Sequence, residues 1–160
     1  MVLAKSMKIR ILSISNKSPA WINQGIEHFL TKFPQNIRPE LIEIRSTKKT
    51  RDVSKVLMDE KQKIMSRVDP GSRLIVLDEK GKNLTSARLA KRLDNWMVEG
   101  NNVDLVLGGA EGLHESLKSE ADELISLSML TLPHQMARLF LVEALYRASS
   151  ILGNHPYHRG

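Results

Sequence analysis

With 160 residues, the chain is long enough to bury one hydrophobic core without disulfides, and its 41% apolar and 26% charged residues are typical of a folded globular protein. It has no cysteine and no apolar run near the length of a membrane span, which excludes disulfides, thiolate metal sites and an evident membrane helix. The formal net charge of +6 is compatible with a nucleic-acid partner without requiring one.

Residues 1–6 precede a second methionine, Met7, and we interpret them as an N-terminal extension or a tag remnant. The N-terminus lacks the long apolar stretch and small-residue cleavage site of a secretory signal, so we expect a cytoplasmic protein. No linker divides the remaining chain, and residues 7–160 are predicted to form a single domain.

Strand and helix patterns alternate through the first half of the chain. Ser18 is predicted to cap the first helix with Pro19 at its first position, and Asp52 is predicted to open the second. The elements predicted here are a strand at 7–14, a helix from Ser18 to Lys32, a strand at 40–45 and a helix from Asp52 to the turn at 69–71.

The second half continues this alternation. The unbroken apolar run from Leu74 to Leu77 is typical of an internal strand of a parallel sheet, because both faces of such a strand are covered. The predicted elements are a strand at 72–78, a helix from Thr85 or Ser86 to Gly100, a strand at 103–109, a helix at 114–123, a strand at 125–128 and a helix at 133–152. The pattern predicts an α/β fold with a mostly parallel five-stranded sheet sandwiched by helices.

The segment LGGAEGL at 107–113 follows a predicted strand and precedes a helix, where open α/β sheets bind ligands. By itself it is also compatible with a tight turn. Leu77 lies at the end of a second predicted strand, and residues 128–133 follow the end of a third. Three loops are therefore expected to meet in a pocket. Apolar side chains and free backbone polar groups in such a pocket suit an adenine ring.

Charged residues elsewhere allow two interpretations. Arg45, Lys48, Lys49 and Arg51 form one basic run, and Lys80 with Lys82 flank a glycine; a solvated loop is the simpler interpretation of each. In the last helix, Glu143 and Arg147 have the spacing of a surface ion pair. The apolar residues of that helix are interpreted as core or interface residues: Met136, Leu139, Phe140 and Leu145.

The C-terminal tail NHPYHRG concentrates functional groups in a few positions. Termini are usually tolerant of change, so His155, Tyr157, His158 and Arg159 together indicate a function there. The histidines lack the carboxylate or cysteine neighbours of a metal site, and no metal is expected.

Taken with LGGAEGL and the segment 126–148, this tail resembles the small SPOUT-superfamily methyltransferases that modify N3 of a pseudouridine in large-subunit ribosomal RNA. The resemblance covers nearly the whole chain from Met7. It implies a C-terminal trefoil knot, a homodimer and S-adenosylmethionine as cofactor, with large-subunit ribosomal RNA in the assembled 70S ribosome as the substrate and the partner subunit completing the site.

The resemblance also assigns residues. The implied cofactor residues are Leu77, Gly109, Ser128, Met129, Leu130, Thr131, Leu132 and Pro133. The implied RNA-binding residues are Arg138, Arg147 and His155. The implied catalytic residues are Tyr157, His158 and Arg159.

Methylation of an imide nitrogen requires its deprotonation, and His158 is the candidate base because histidine is the residue type whose ordinary pKa lies nearest working pH. Arg159 is expected to stabilise the imide anion or hold a phosphate, and Tyr157 to stack on or hydrogen-bond the base, with these roles open to exchange. Two alternatives remain at this stage: a non-catalytic ribosome-binding factor, and a ribonuclease using His155 and His158.

Overall fold

The computed structural model describes residues 7–159, and the predicted extension at residues 1–6 lies outside them. The strands are β1 (Ile9–Ser15), β2 (Glu40–Arg45), β3 (Arg73–Asn83), β4 (Val103–Leu107) and β5 (Glu123–Ser126). The helices are α1 (Ala20–Leu30), α2 (Val53–Met65), α3 (Ser86–Glu99), α4 (Glu115–Glu120) and α5 (His134–Leu152). Single 3₁₀ turns at Gln35–Ile37 and Pro156–Arg159 complete the described elements.

The strands form one five-stranded sheet in the order β2-β1-β4-β3-β5, and every neighbouring pair is parallel. Side chains from α1, α3 and α5 pack on one face, whereas α2 and α4 cover the other. The predicted α/β sandwich is therefore confirmed. β3 is an internal strand, as its apolar run indicated, and β4 is buried along its whole length.

Local capping signals were correct at two helices. The Asp52 side chain accepts a hydrogen bond from the Lys55 N–H at 3.2 Å, and Thr85 accepts one from Arg88 at 3.1 Å. α3 ends at Gly100, whose φ of 73° is a left-handed conformation that glycine adopts without strain.

The predicted cap of α1 was wrong. Pro19, not Ser18, precedes the first helical residue, and the helix has no side-chain cap. Ser18 Oγ instead donates to Gln135 Oε1 at 2.7 Å, across to α5. A tertiary hydrogen bond thus replaces the local one.

β5 and α4 also differ from prediction. α4 ends at Glu120, and Asp122 then joins the sheet: its N–H donates to the Leu74 carbonyl at 2.8 Å, while its carboxylate accepts from the Leu74 N–H at 2.7 Å. These bonds place β5 at 123–126, two residues earlier than the apolar pattern suggested.

β3 is longer than predicted because its end passes around β5. Leu77 pairs with Ile125, and Lys82 pairs with Ile125 again after a register shift. Gly81 lies over the β5 backbone, where an added Cβ would be 2.7 Å from the Ile125 nitrogen. Segment 78–83 and β5 are therefore in direct backbone contact.

None of the helices in the described part of the chain has the length and apolar content required to cross a membrane.

Candidate functional site

The site lies at the edge of the sheet where the parallel strands end. Segment 78–85, which is the end of β3 and the turn after it, lies beside loops 108–114 and 127–133, which follow β4 and β5; the three strands are adjacent in the sheet. Ligands of open α/β sheets bind beyond the carboxyl ends of the strands. The topology therefore brings together the three loops that the sequence identified.

Glycine is required in the loop after β4 by close packing of its own backbone. The Gly112 N–H donates to the Gly109 carbonyl at 3.1 Å, and Gly112 has a φ of 80°. A Cβ at Gly108 would lie 2.6 Å from the Gly112 oxygen, and one at Gly109 would lie 3.1 Å from Ile14 Cγ2. Gly108 thus permits the turn, as expected from sequence, while Gly109 permits the loop to approach β1.

The loop after β5 is shaped by serine side chains. Ser126 Oγ donates to the Ser128 carbonyl at 2.9 Å, and Ser128 Oγ accepts from the Leu130 N–H at 2.9 Å. The fold leaves Met129 and Leu130 uncovered, at 91% and 77% exposure. Apolar side chains held in solvent by a hydrogen-bonded loop are available to a ligand.

A cavity of about 860 Å³ opens among these loops. Seven of the eight cofactor residues predicted from the sequence line it: Leu77, Gly109, Ser128, Leu130, Thr131, Leu132 and Pro133. Met129 does not, because its side chain points away from the wall formed by its neighbours. A cavity of this size and mixed lining is typical of a cofactor site.

The polar residues of the cavity wall that the sequence did not identify include Asp78, His114 and Lys118. Lys118 Nζ lies 3.2 Å from Asp78 Oδ1 and 3.1 Å from Glu115 Oε1. Burial opposes the charged amine, but the hydrogen bonds to Glu115 and Asp78 outweigh it and raise the pKa of Lys118. The Asp78 contact joins β3 to α4, which are far apart in sequence, so residue spacing gave no signal for it.

A smaller cavity of about 350 Å³ adjoins the first. The two share Leu77, Ser126 and Leu127, and the smaller one continues along α5 to Glu143 and Arg147. It connects the region of the larger cavity with the elements that hold the C-terminal tail.

The tail is anchored to α5 through Tyr157. The Tyr157 ring lies edge-on to Tyr146, with centroids 4.8 Å apart, and near Phe29 at 6.2 Å. Its hydroxyl donates to Glu143 Oε1 at 3.0 Å, while the Arg147 guanidinium lies 4.9 Å from the ring centroid. The tail is therefore packed rather than frayed.

Glu143 and Arg147 form the ion pair that their spacing predicted, with Nη2 2.7 Å from Oε1. The hydrogen bond to Glu143 raises the pKa of Arg147. Burial, followed by the bond to Glu143, raises the pKa of Tyr157. Tyr157 thus stays a neutral donor at physiological pH, where it serves as an anchor rather than a base.

The other tail residues differ in their surroundings. His155 Nδ1 accepts from the Tyr157 N–H at 3.2 Å, and Arg159 is exposed. His158 Nδ1 is buried without a hydrogen-bond partner among residues 7–159. Among residues 7–159, no residue after Ala137 lines the larger cavity. A single copy of the chain therefore does not bring its tail to the larger cavity.

Arg138, for which an RNA-binding role is predicted from the sequence, is buried in the structure. Its side chain is 1% exposed, and the guanidinium contacts Glu43 on β2 and the hydroxyl of Ser18. Its Nη1 also donates to Ser15 Oγ at 3.3 Å. These contacts join α5 to the ends of β1 and β2, so Arg138 holds the helix to the sheet.

Among residues 7–159, no three potential metal ligands lie close enough together to hold an ion.

Comparison with known proteins agrees with this geometry. The family described as "Predicted SPOUT methyltransferase" matches residues 7–158. The ribosomal RNA large subunit methyltransferase H of Dechloromonas aromatica is 47% identical over 96% of this chain and 99% of its own length. The protein of the same name from Chromobacterium violaceum is 44% identical, with the same shares of the two chains covered. A probable methylase family protein from Haemophilus influenzae has a related fold, with a TM-score of 0.55 at 15% identity over 94% of this chain and 70% of that one.

Proposed function

The chain belongs to the SPOUT methyltransferase family, and from this premise we propose that it methylates N3 of a pseudouridine in large-subunit ribosomal RNA, using S-adenosylmethionine, on the 70S ribosome in the cytoplasm. The observation that carries the proposal is the cavity at which Leu77, Gly109 and loop 128–133 converge. The names of the full-length relatives supply the ribosomal RNA substrate. The alternatives of a non-catalytic factor or a ribonuclease gain no support from these relatives.

The cavity suits the cofactor chemically. Leu77, Leu130 and Leu132 offer apolar surface for an adenine ring, and the turns of loops 108–112 and 127–133 leave backbone groups for its polar edge. The bound cofactor would supply an electrophilic methyl group on a sulfonium. The role of the protein is then to hold the acceptor nitrogen in line with that methyl and to remove its proton.

We assign the proton transfer to His158, whose imidazole nitrogen can accept a proton. His158 would accept the N3 proton, so that the nitrogen could take the methyl group that the bound cofactor would supply. Arg159 supplies positive charge near the developing anion. Arg147 and His155 are proposed to contact the RNA, with Tyr157 fixing the tail.

We propose a homodimer because one subunit leaves the tail apart from the larger cavity. Helices α1 and α5 meet at a seam where Gly25 packs on Leu139. Large apolar side chains of these two helices remain uncovered: Trp21 of α1 is 58% exposed, and Met136 and Phe140 of α5 are 38% and 40% exposed. A two-fold axis at this seam would cover these side chains and bring each tail toward the other subunit's cavity.

We also propose that the C-terminal segment forms a trefoil knot. The support is the path of 78–83 around β5, with Gly81 against the Ile125 backbone, followed by packing of α5 between α1 and α3. True knots are rare, so this proposal depends on the family as well as on the crossing.

Cofactor binding is tested by calorimetry on a matched pair of variants. Leu130→Asp places a charge on an exposed side chain of the cavity wall, and Val98→Asp does so at an 80% exposed position that lines neither cavity. We expect S-adenosylmethionine affinity to fall at least about tenfold in the first variant only. The bound ligand would cover the new carboxylate and remove its water, which is costly for an unpaired charge. Parent protein that gives no binding heat would overturn the methyltransferase assignment.

The methylated position is tested by mass mapping of ribosomal RNA from a strain without this protein. One methyl group should be lost and then restored by the purified protein and S-adenosylmethionine acting on 70S ribosomes.

Deleting residues 155–160 should leave cofactor binding nearly intact while methylation falls by roughly 10²-fold or more. Parent-rate methylation by the truncated protein would exclude the tail from catalysis.

A further inference from the structure

We propose that the basic run Arg45, Lys48, Lys49 and Arg51, here called the basic loop, is a docking surface for the phosphate backbone of the RNA substrate. The inference rests on the proposed function and specifies where the substrate enters. By sequence alone, a solvated loop was the simpler interpretation of this run.

The basic loop lies at the same edge of the sheet as the larger cavity. It follows β2, which is separated from β4 only by β1, so it stands roughly 10 Å along the edge from the glycine-rich loop. The first turn of α2, which the loop enters, lines the cavity through Val53, Ser54 and Leu57. A strand of RNA reaching into the cavity from this side would pass over the basic loop.

The loop is held in place from below by a buried carboxylate. Glu60 on α2 is 5% exposed, and its Oε2 accepts from the Thr47 N–H at 2.9 Å. Lys63 Nζ donates to Thr47 Oγ1 at 2.9 Å, and Ser46 Oγ donates to Asn16 Oδ1 at 2.6 Å. A buried carboxylate is costly unless hydrogen-bonded, so these bonds favour one loop conformation with its cations directed outward.

The cations themselves are hardly neutralised. Within residues 7–159, no carboxylate oxygen lies within 4.0 Å of the side-chain nitrogens of Lys48 or Arg51. Lys49 reaches Glu111 only at 3.9 Å, with the two side chains 74% and 47% exposed. Lysines deeper on the same side, Lys61 and Lys63, are paired with Glu120 and Asp59. Unpaired positive charge thus lies on the loop that leads into α2, beside the cavity, where it attracts a polyanion.

The composition of the loop specifies the partner. The sequence RSTKKTRD contains no aromatic or large apolar side chain, so it offers neither a stacking platform for bases nor the apolar centre of a protein interface. Lysine, arginine and threonine side chains suit phosphate oxygens. Contacts of this kind position the RNA without reading its sequence.

The test compares two triple variants of equal charge. In the basic-loop variant, Lys48, Lys49 and Arg51 are changed to glutamine. In the control variant, glutamine replaces Lys8, Lys32 and Arg67, which are exposed residues at the opposite edge of the sheet. Binding to a short single-stranded RNA and to 70S ribosomes is measured against salt concentration. We expect the slope of log Kd against log salt to fall by about 2 in the first variant, since each lost phosphate contact to a single strand contributes about 0.7.

Methylation of ribosomes should show a raised KM with little change in kcat for the basic-loop variant. Equal slopes for the basic-loop variant, the control and the parent would overturn this inference while leaving the methyltransferase assignment in place. Equal losses in both triple variants would also overturn it, because only net charge would then matter. Absence of methylation by the parent would instead overturn the proposed function, and the binding slopes would still decide the docking surface.

Discussion

Gly81 is required by a contact between backbones and not by its torsion angles. An added Cβ would lie 2.7 Å from the Ile125 nitrogen and carbonyl carbon, and neither group can move without shifting β5. Gly81→Ala should lower the free energy of unfolding by roughly 1–3 kcal/mol through overpacking. Gly153→Ala is the control, since its Cβ would meet only the Ser149 oxygen at 3.5 Å. Equal urea midpoints for the two variants would contradict the close crossing of 78–83 and β5.

Tyr157 should make a pH-dependent contribution to stability. Burial and Glu143 raise its pKa above the ordinary 10.0, against the smaller opposing effect of Arg147. A raised folded pKa means that the neutral hydroxyl is favoured by folding. Its contribution is therefore complete below pH 10.0 and is lost as pH rises through the higher folded pKa.

The corresponding variant is Tyr157→Phe, which keeps the ring and loses the hydrogen bond. We expect a loss of about 1 kcal/mol at neutral pH that shrinks in alkaline solution, measured by urea unfolding at several pH values. Tyr146→Phe, which removes a hydroxyl on the same aromatic cluster, provides the control. A Tyr157→Phe loss that stays constant up to high pH would exclude this linkage.

Helix α5 is fixed to the sheet by an ion pair with unequal partners. Arg138 is 1% exposed, whereas the Glu43 side chain is 53% exposed. Removing the carboxylate leaves a buried cation without its counter-charge; removing the cation leaves a carboxylate that water can solvate. The two halves of the pair should therefore differ in their effect on stability.

We expect Glu43→Gln to destabilise the fold by about 2 kcal/mol, a figure reduced from that of a fully buried pair because Glu43 is partly screened by solvent. Arg138→Met should cost less, about 1 kcal/mol, since Ser18 and Gln135 already bond to each other at 2.7 Å. Chemical unfolding of both variants measures the difference. The reverse order would mean that Arg138 stabilises α5 mainly through packing.

Two leucines of α5 show that helical periodicity alone does not determine whether an apolar side chain lies in the core or at an interface. Leu139 and Leu145 were both interpreted as core or interface residues, and the sequence could not separate them. The structure places Leu145 in the core at 1% exposure, while Leu139 packs on Gly25 beside the uncovered seam. Charge at Leu145 is therefore expected to unfold the protein and cannot test association.

At the scale of the whole molecule, the proposed dimer is tested at Trp21. Trp21→Glu adds charge to a 58% exposed apolar side chain of the α1–α5 seam, and Val98→Glu does so at an 80% exposed position on α3. We expect Trp21→Glu to raise the dissociation constant of the dimer at least about tenfold and Val98→Glu to leave it unchanged. Light scattering over a range of protein concentrations measures this constant. A parent that stays at 18.1 kDa throughout would exclude the dimer.

Mixing two inactive variants tests whether the site is shared between subunits. His158→Ala impairs the tail and Leu130→Asp impairs the cavity, so a mixed dimer retains one complete site. An equal mixture should recover about a quarter of parent activity, because about half of the dimers are mixed. Recovery no greater than that of either variant alone would place the tail and the cavity of one site in the same subunit.

The sequence by itself determined the alternation of strands and helices, the capping by Asp52, Thr85 and Gly100, and the glycine-rich turn. These features depend on local physics: side-chain periodicity, hydrogen bonds to the nearest backbone groups, and torsion angles open to glycine. It also identified the three loops that line the cavity, because parallel strands must end at a common edge.

Only the tertiary structure decided what depends on contacts between distant segments. The burial of Arg138 on Glu43, the path of 78–83 around β5, the pairing of Lys118 with Asp78 and the anchoring of Tyr157 on Glu143 each join residues whose meeting no local pattern specifies. A polar side chain on a helix stripe faces water or a neighbouring element according to packing alone. The sequence therefore named the groups available for chemistry, and the packing decided which of them remain free to perform it.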